Sequence, residues 1–433
     1  MITGLVCKGS CVAKSHYDWS VGPAEIEEHS LTKHDVLVGY LRRYFERRTL
    51  NGRGQERLRL TLVDGFCGGG LYTIRSTGKE VLGSPLRMLD CVRIAQEEIN
   101  RDRLKAVELE IQYIFVDEDS QAIAHLHKVL EERGYGGEIG KSIHIMCSDF
   151  VKASPSVMQL IRGHTPRTPR ALFFLDQYGY TDVPASLIRN IFKELDKSEI
   201  VLTFHVSAFG TYANDVLVGK ISDTLDIDLR TALGNRSIEE IKNNEADWRR
   251  FIQAALYKGL VTDCSAQFFT PFFIRGVGSG HGEYWLVHLS QHPQAQDVMK
   301  QVHWGLQNHF VHYGGAGLDM LAPQTMGFNQ AFTGGFRFDD VARHQSDIAL
   351  IHQLGQVIYR HGQPLQIGEL FANTCNTTPA TARMYNNALE QLVGEKDIIV
   401  VSADGKRRRH AHYMRDSDII ERNPQLQIVF PPR

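Results

Sequence analysis

No stretch of eighteen apolar residues occurs in the 433-residue chain, and its start, MITGLVCKGSCVAKSHYD, lacks the apolar core of a secretory signal. Neither a membrane-spanning helix nor export is expected. Cysteine is scarce: there are seven, an odd number, scattered singly apart from Cys7 and Cys11. That is how reduced thiols look rather than a disulfide framework, and it points to the cytoplasm. Cys7 and Cys11 with His16 nearby make at most half a zinc site, because a second ligand pair at zinc spacing is missing, so no metal is expected. Charge of one sign is lacking too: 48 Lys and Arg stand against 50 Asp and Glu, a net charge of -2. A nucleic-acid partner must then be met by a local basic patch.

What is there, 42% hydrophobic and 23% charged residues, is the composition of a folded globular protein, and its length exceeds what one core supports. Residues 31–48, LTKHDVLVGYLRRYFERR, set Val36, Leu37, Tyr40, Leu41 and Tyr44 at helical spacing. Arg42, Arg43, Arg47 and Arg48 form the opposite face, suited to solvent or to phosphate. Apolar runs at 60–63, 111–116, 143–146, 171–175 and 200–206 alternate with helix-like sequence, which implies crossover units and a parallel sheet buried on both faces. Residues 211–265 read as a polar helical insertion. FFTPFFI and EYWLVHLS, separated by GVGSGHGE, predict an antiparallel hairpin closing the sheet, with a helix from Pro293 packing back. The expected division is a helical segment over 1–55, an α/β domain over 56–310, a glycine-rich linker over 311–345 and a last domain over 346–433.

The first apolar run ends in LTLVDGFCGGG, with Asp64, Phe66, Gly68 and Gly70 at alternate positions. Glycines let the backbone turn sharply and approach a ligand, and an acid at a strand end binds an ammonium group, so an aminoacyl ligand suits the pairing. The run lacks the Gly-Lys-Ser/Thr of a phosphate loop and the clean G-x-G-x-x-G of a dinucleotide loop; a glycine turn without a ligand is the structural alternative. FVDED places Asp117 where a ribose carboxylate sits, and IHIMCSDF places Asp149 to accept from an adenine amino group. Each acid alone also reads as a helix cap, but three after three successive strands argue for a cofactor rim. ALFFLDQYGY puts Asp176 where a carboxylate accepts from an amino group, and Tyr178 where a ring stacks a flipped base; the alternative is that both merely cap the sheet edge.

At these residues the chain resembles the class I S-adenosylmethionine-dependent methyltransferases, especially those that methylate amino groups of nucleic acid. It resembles more closely still the three-Cys-motif partner family, through TKHDVLVGYLRRYF, VDGFCGGGLY, GSPLRMLD, FFLDQYGY and EYWLVHLS, over roughly residues 15–310. The resemblance implies an α/β Rossmann-like methyltransferase fold that holds S-adenosylmethionine, and a companion protein bearing a three-cysteine motif. It also implies a setting in phage or mobile-element biology, such as phage defence. One departure matters. Amino-methylating enzymes carry Asp/Asn-Pro-Pro-Tyr, whose prolines stiffen the loop, and the partner family tends to show Asp-Pro-Tyr-Gly, whereas Gln177 follows Asp176 here.

From 347, DIALIHQLGQVIYRHG, QIGELFANTC, TTPATARMYNNALEQLVGE and IIVVSADGKRRRHAHYM read as three helices and a hairpin, a winged helix-turn-helix. Thr378 is expected to cap the third helix with Pro379 at its first position, while Met384, Leu389, Leu392 and Val393 pack inward. Thr381, Arg383, Asn386 and Asn387 then face outward with groups that read base edges in a major groove. Asp404-Gly405 makes the wing turn, and Lys406, Arg407, Arg408 and Arg409 suit backbone phosphates, although winged helices also mediate protein contacts. Three functions are thus in play: a methyltransferase docked on nucleic acid, DNA before RNA; a cofactor-fold module without chemistry that serves a partner protein; and a DNA-binding regulator.

Overall fold

In the computed structural model, strands β2 (Arg57–Asp64), β5 (Glu108–Asp117), β6 (Ile143–Cys147), β7 (Arg170–Leu175), β8 (Lys197–His205), β9 (Phe268–Arg275) and β10 (Glu283–Ser290) form one sheet. The residues described are 17–20, 22–26, 28–50, 56–177, 182–205, 214–244, 248–275, 283–306, 311–312, 316–319 and 336–424. Cys7, Cys11, His16 and Tyr178 lie outside them.

The strand order is β6-β5-β2-β7-β8-β10-β9, with β10 antiparallel to both neighbours. Counted within this sheet it is 3-2-1-4-5-7-6, the doubly wound Rossmann order completed by a reversed hairpin, which is the methyltransferase-like arrangement. The alternating burial explains why these runs are strands. Leu60, Leu62, Phe115, Leu172 and Phe174 join the core on one face, while Val63, Ile114, Val116, Phe173 and Leu175 join the core on the other.

Helices α1 (Glu28–Leu50), α2 (Ser84–Asn100) and α10 (Pro293–Gly305) pack with the first core, and α1 buries Val36, Leu37, Tyr40, Leu41 and Tyr44. Between β2 and β10 in chain order come α3 (Ser120–Glu132), α4 (Phe150–His164), α5 (Ala185–Glu194), and the helices of the insertion, α6 (Asp215–Leu225), α7 (Leu229–Ala232), α8 (Ile238–Asn244) and α9 (Trp248–Cys264). One feature departs from a simple crossover. The glycine turn after β2 leads first into a hairpin, β3 (Leu71–Ile74) and β4 (Glu80–Leu82), which pairs with β1 (Ala24–Ile26), and only then into α2.

The C-terminal part contains α11 (Asp340–His361), α12 (Ile367–Thr374) and α13 (Ala382–Gly394), with β11 (Leu365–Gln366), β12 (Ile398–Val401), β13 (Arg407–Arg408) and β14 (Ile419–Arg422) in the order β11-β14-β12-β13. This is a winged helix-turn-helix. Its first helix begins at Asp340, because the Asp339 side chain caps it by accepting from the Ala342 N–H. The third helix corrects the sequence reading. Thr381, not Thr378, is its N-cap, accepting from the Met384 N–H, and it is buried rather than outward-facing. The Thr378 hydroxyl is spent elsewhere, donating to the Gly317 carbonyl at 2.7 Å and accepting from the Ala380 N–H.

The winged helix shares its core with the α/β part. Leu350, Leu354, Leu370, Met384 and Leu389 belong to one continuous cluster with Met299, Val302 and Trp304 of α10. Polar contacts line the same seam: Trp304 Nε1 donates to the Pro379 carbonyl at 2.9 Å, and Lys300 Nζ to the Cys375 carbonyl at 2.7 Å.

Candidate functional site

The carboxyl ends of β2 and β7 meet at the point where the chain reverses its direction of travel across the sheet, the crevice in which doubly wound folds bind ligands. Asp64 ends β2 there, is fully buried, and has one oxygen, Oδ2, without a hydrogen-bond partner. Its Oδ1 accepts from the Phe66 N–H at 3.3 Å. Burial raises the Asp64 pKa to about 7, against the lowering effect of hydrogen bonds from Ser84 and Phe66, and the charges of Asp176 and Asp117 raise it further.

The turn itself is pinned from both sides: Gly65 N–H donates to the Phe174 carbonyl and Cys67 N–H to the Val116 carbonyl, each at 3.0 Å. Gly68 and Gly70 have φ of 57° and 81°, which favour glycine. The close approach they permit is to the chain's own side chains. A Cβ on Gly68 would meet the Tyr72 hydroxyl, one on Gly69 the Trp19 ring, and one on Gly70 the Leu126 side chain. His125 Nδ1 lies 2.7 Å from the Gly69 carbonyl, and Tyr17, Trp19, Tyr72 and His125 pack edge-on or tilted against one another beside the loop.

Asp117 accepts from the Gly68 N–H at 2.8 Å and from the Asp119 N–H at 2.9 Å, so the acid of the second strand fixes the glycine turn of the first. Burial raises its pKa, opposed by those two bonds. Phe66 is half-buried beside Phe150. Asp149 caps α4, accepting from the Lys152 N–H, and its pKa is lowered although burial alone would raise it, because Lys152 and Val151 donate to it.

Asp176 follows β7 and pairs with Lys33 of α1, Nζ to Oδ1 at 2.6 Å, with the side chains only 10% and 16% exposed. The adjacent His34 is buried with Nδ1 unpartnered; burial, only partly opposed by Asp176, drops its pKa to about 3, so the imidazole is neutral. Gln177 is buried as well. Its Oε1 accepts from the N–H groups of Asp182 and Val183, while its Nε2 lacks a partner. Three buried polar atoms, Asp64 Oδ2, His34 Nδ1 and Gln177 Nε2, are left unpaired around Asp176.

The sequence brought out Asp64, Phe66, Gly68, Gly70, Asp117, Asp149 and Asp176, and the fold places all of these at one edge of the sheet. It gave no role to Lys33 and His34, whose signal was their adjacency in TKHD, nor to Trp19, Tyr72 and His125, which carry no pattern at all.

On the winged helix, Arg383 and Asn387 are exposed and Asn386 is half-buried on α13. The wing turns at Asp404-Gly405, where the Gly405 N–H donates to the Ser402 carbonyl at 2.8 Å. Its four cations are not equivalent. Lys406 pairs with Asp404 at 2.9 Å and Arg408 with the buried Asp418 at 3.2 Å, whereas Arg407 and Arg409 are exposed and have no ion pair among the described residues. Among the described residues no group of His, Cys, Asp and Glu is arranged to hold a metal, and no helix is long and apolar enough to cross a membrane.

Residues 321–405 match the family model of the GMT-like wHTH domain. No curated protein matches the chain. Solved structures that overlay on it include the plantazolicin methyltransferase BamL in complex with a triazolic desmethylPZN analogue and SAH, at 12% identity and TM-score 0.24, over 61% of this chain and 86% of that one. Another is the O-methyltransferase TomG from Streptomyces achromogenes in complex with SAM, at 12% identity and TM-score 0.25, over 58% of this chain and 78% of that one. At such scores the overlays decide nothing, and the fold class rests on the chain's own strand order.

Proposed function

We propose that the chain is a methyltransferase that binds S-adenosylmethionine at the carboxyl edge of its large sheet and acts at nucleic acid, DNA in the first place. The observation that carries this reading is the buried, unpartnered Oδ2 of Asp64 beside the glycine turn. A buried carboxylate oxygen without a donor is costly, and the ammonium group of an aminoacyl ligand relieves that cost. In this reading Asp117 accepts from ribose hydroxyls and Asp149 from the adenine amino group, and each has lone pairs to spare beyond the backbone bonds it already accepts. Bound S-adenosylmethionine supplies an electrophilic methyl group. Asp176 accepts a hydrogen bond from the amine to be methylated, Lys33 orients that carboxylate, and the Gln177 side chain accepts from the Asp182 N–H. The winged helix brings the substrate through the exposed residues Arg383, Asn387, Arg407 and Arg409.

A second reading, a cofactor-fold module that serves a three-cysteine-motif partner protein without chemistry, is favoured by one observation: the Asp176 carboxylate is already engaged by Lys33. Calorimetric titration with S-adenosylmethionine, followed by mass analysis of DNA and RNA incubated with protein and cofactor, separates the two. Cofactor binding with methylated product supports the enzyme, binding without product supports the module, and no binding overturns both.

A further inference from the structure

At the opposite edge of the large sheet, a cavity of about 270 Å³ opens between the last turns of α1, the first residues of β7 and β8, and the start of α10. Arg47, Arg48, Arg170 and Lys197 line it. None of the four has an ion pair or a side-chain hydrogen bond among the described residues, whereas the nearby Arg42, Arg57, Arg59 and Arg162 each hold a carboxylate. Arg170 is half-buried, and burial lowers its pKa, so an unpaired guanidinium is held where an anion would stabilise it.

The two carboxylates at the cavity do not fill that role. Asp196 is exposed, and Glu199 turns to the interior, accepting the Tyr40 hydroxyl proton and lying 3.6 Å from the fully buried His288. The first turn of α10 adds the positive end of a 13-residue helix, with Gln294 and Ala295 on the cavity wall. Behind the cations the wall is apolar and aromatic, formed by Tyr44 and Val298. Arg170 begins β7 and Leu175 ends it, so six residues, about 20 Å of strand, separate this cavity from Asp176.

We propose that this cavity is a second ligand site, separate from the cofactor edge, and that it takes a nucleoside phosphate. Arg47, Arg48, Arg170 and Lys197 hold the phosphate, and the base lies against Tyr44 and Val298. The volume lies just below the roughly 300–1,000 Å³ usual for small-molecule sites, which suits one nucleotide unit inside it. The nucleotide has two sources, a free metabolite or the phosphorylated end of a nucleic acid.

Titration of the full chain with the ribonucleoside 5′-monophosphates, with adenosine and with inorganic phosphate tests the site. At least one monophosphate should bind at least tenfold more tightly than adenosine and than phosphate alone. Arg48→Gln and Lys197→Gln, both at exposed positions, should each weaken it at least fivefold with the unfolding temperature unchanged, and Arg170→Gln more. Asp117→Ala, at the other edge, should leave it unaltered, which separates this site from adenosine recognition by the cofactor rim. A 5′-phosphorylated oligonucleotide that displaces the monophosphate identifies the source as a nucleic-acid end, and one that does not identifies a free nucleotide; both sustain the site. Absence of binding at millimolar nucleotide, binding of phosphate as tight as that of any nucleotide, or affinity unmoved by Arg48→Gln and Lys197→Gln would overturn it.

Discussion

The Asp297 carboxylate of α10 accepts the backbone N–H of Ala382, the first residue of α13, at 2.7 Å. A side chain of the α/β part therefore satisfies an open N–H at the start of the recognition helix of the winged helix, beside the chain's own cap at Thr381. In helix-turn-helix proteins the first turn of that helix is the part that enters the major groove. Here the Ala382 N–H is taken up by α10, while Arg383 in the same turn and Asn387 in the next stay exposed.

The seam should be sensitive to this bond. Burial raises the Asp297 pKa, opposed by the Ala382 bond and by the charge of Lys300, so the group is costly to disturb. Asp297→Ala should lower stability by about 1–3 kcal/mol in denaturant unfolding and split one transition into two as the winged helix loosens. A single transition at the wild-type midpoint would show that the apolar seam alone sets the docking.

Asp64 gives a pH signature. Its folded pKa of about 7 lies above the ordinary 3.8, so the folded chain binds this proton more tightly than the unfolded chain does. Stability of the cofactor-free protein should therefore fall as pH rises from about 4 to about 7, at roughly 1.4 kcal/mol per unit as an upper limit, and then level off. Asp64→Asn should flatten that slope. In the wild type S-adenosylmethionine should bind more tightly as pH rises through 7, because the ammonium group pairs with the ionised carboxylate. An affinity independent of pH between 6 and 8 would count against Asp64 as the ammonium partner.

Asp176→Ala should reduce methyl transfer roughly a hundredfold or more while leaving cofactor affinity nearly unchanged, since the residue sits on the substrate side. Lys33→Ala should lower turnover as well, by releasing the carboxylate it orients. Labelled methyl transfer at the wild-type rate in Asp176→Ala would remove this residue from the reaction.

The wing residues should separate into two classes. Arg407→Ser and Arg409→Ser should each reduce the slope of log affinity for DNA against log salt by about one. Lys406→Ser should change it less, because its ammonium already pairs with Asp404. Arg408→Ser should act on folding, since it strips the buried Asp418 of a partner. Substituting Arg383 or Asn387 should relax sequence preference and leave the salt slope alone. A uniform response from all four wing cations would contradict the pairing.

Periodicity and chain order determined most of the architecture. Apolar runs at strand length alternating with helices left a parallel sheet as the arrangement able to bury both faces, and FFTPFFI with EYWLVHLS pairs as the expected hairpin. The acids after the strands were legible because a strand end is a local event: Asp64 and Asp117 each end a run that the sequence itself displays, and Asp149 follows another two residues after its strand. Tertiary structure decided what those residues meet. Lys33 lies 143 positions from Asp176, and Asp297 lies 85 from Ala382, and no local spacing encodes either pair. The cap moved from Thr378 to Thr381 for the same reason: the Thr378 hydroxyl found the carbonyl of Gly317, 61 residues away, and the helix began where a buried threonine and a distant aspartate together satisfied its first N–H groups.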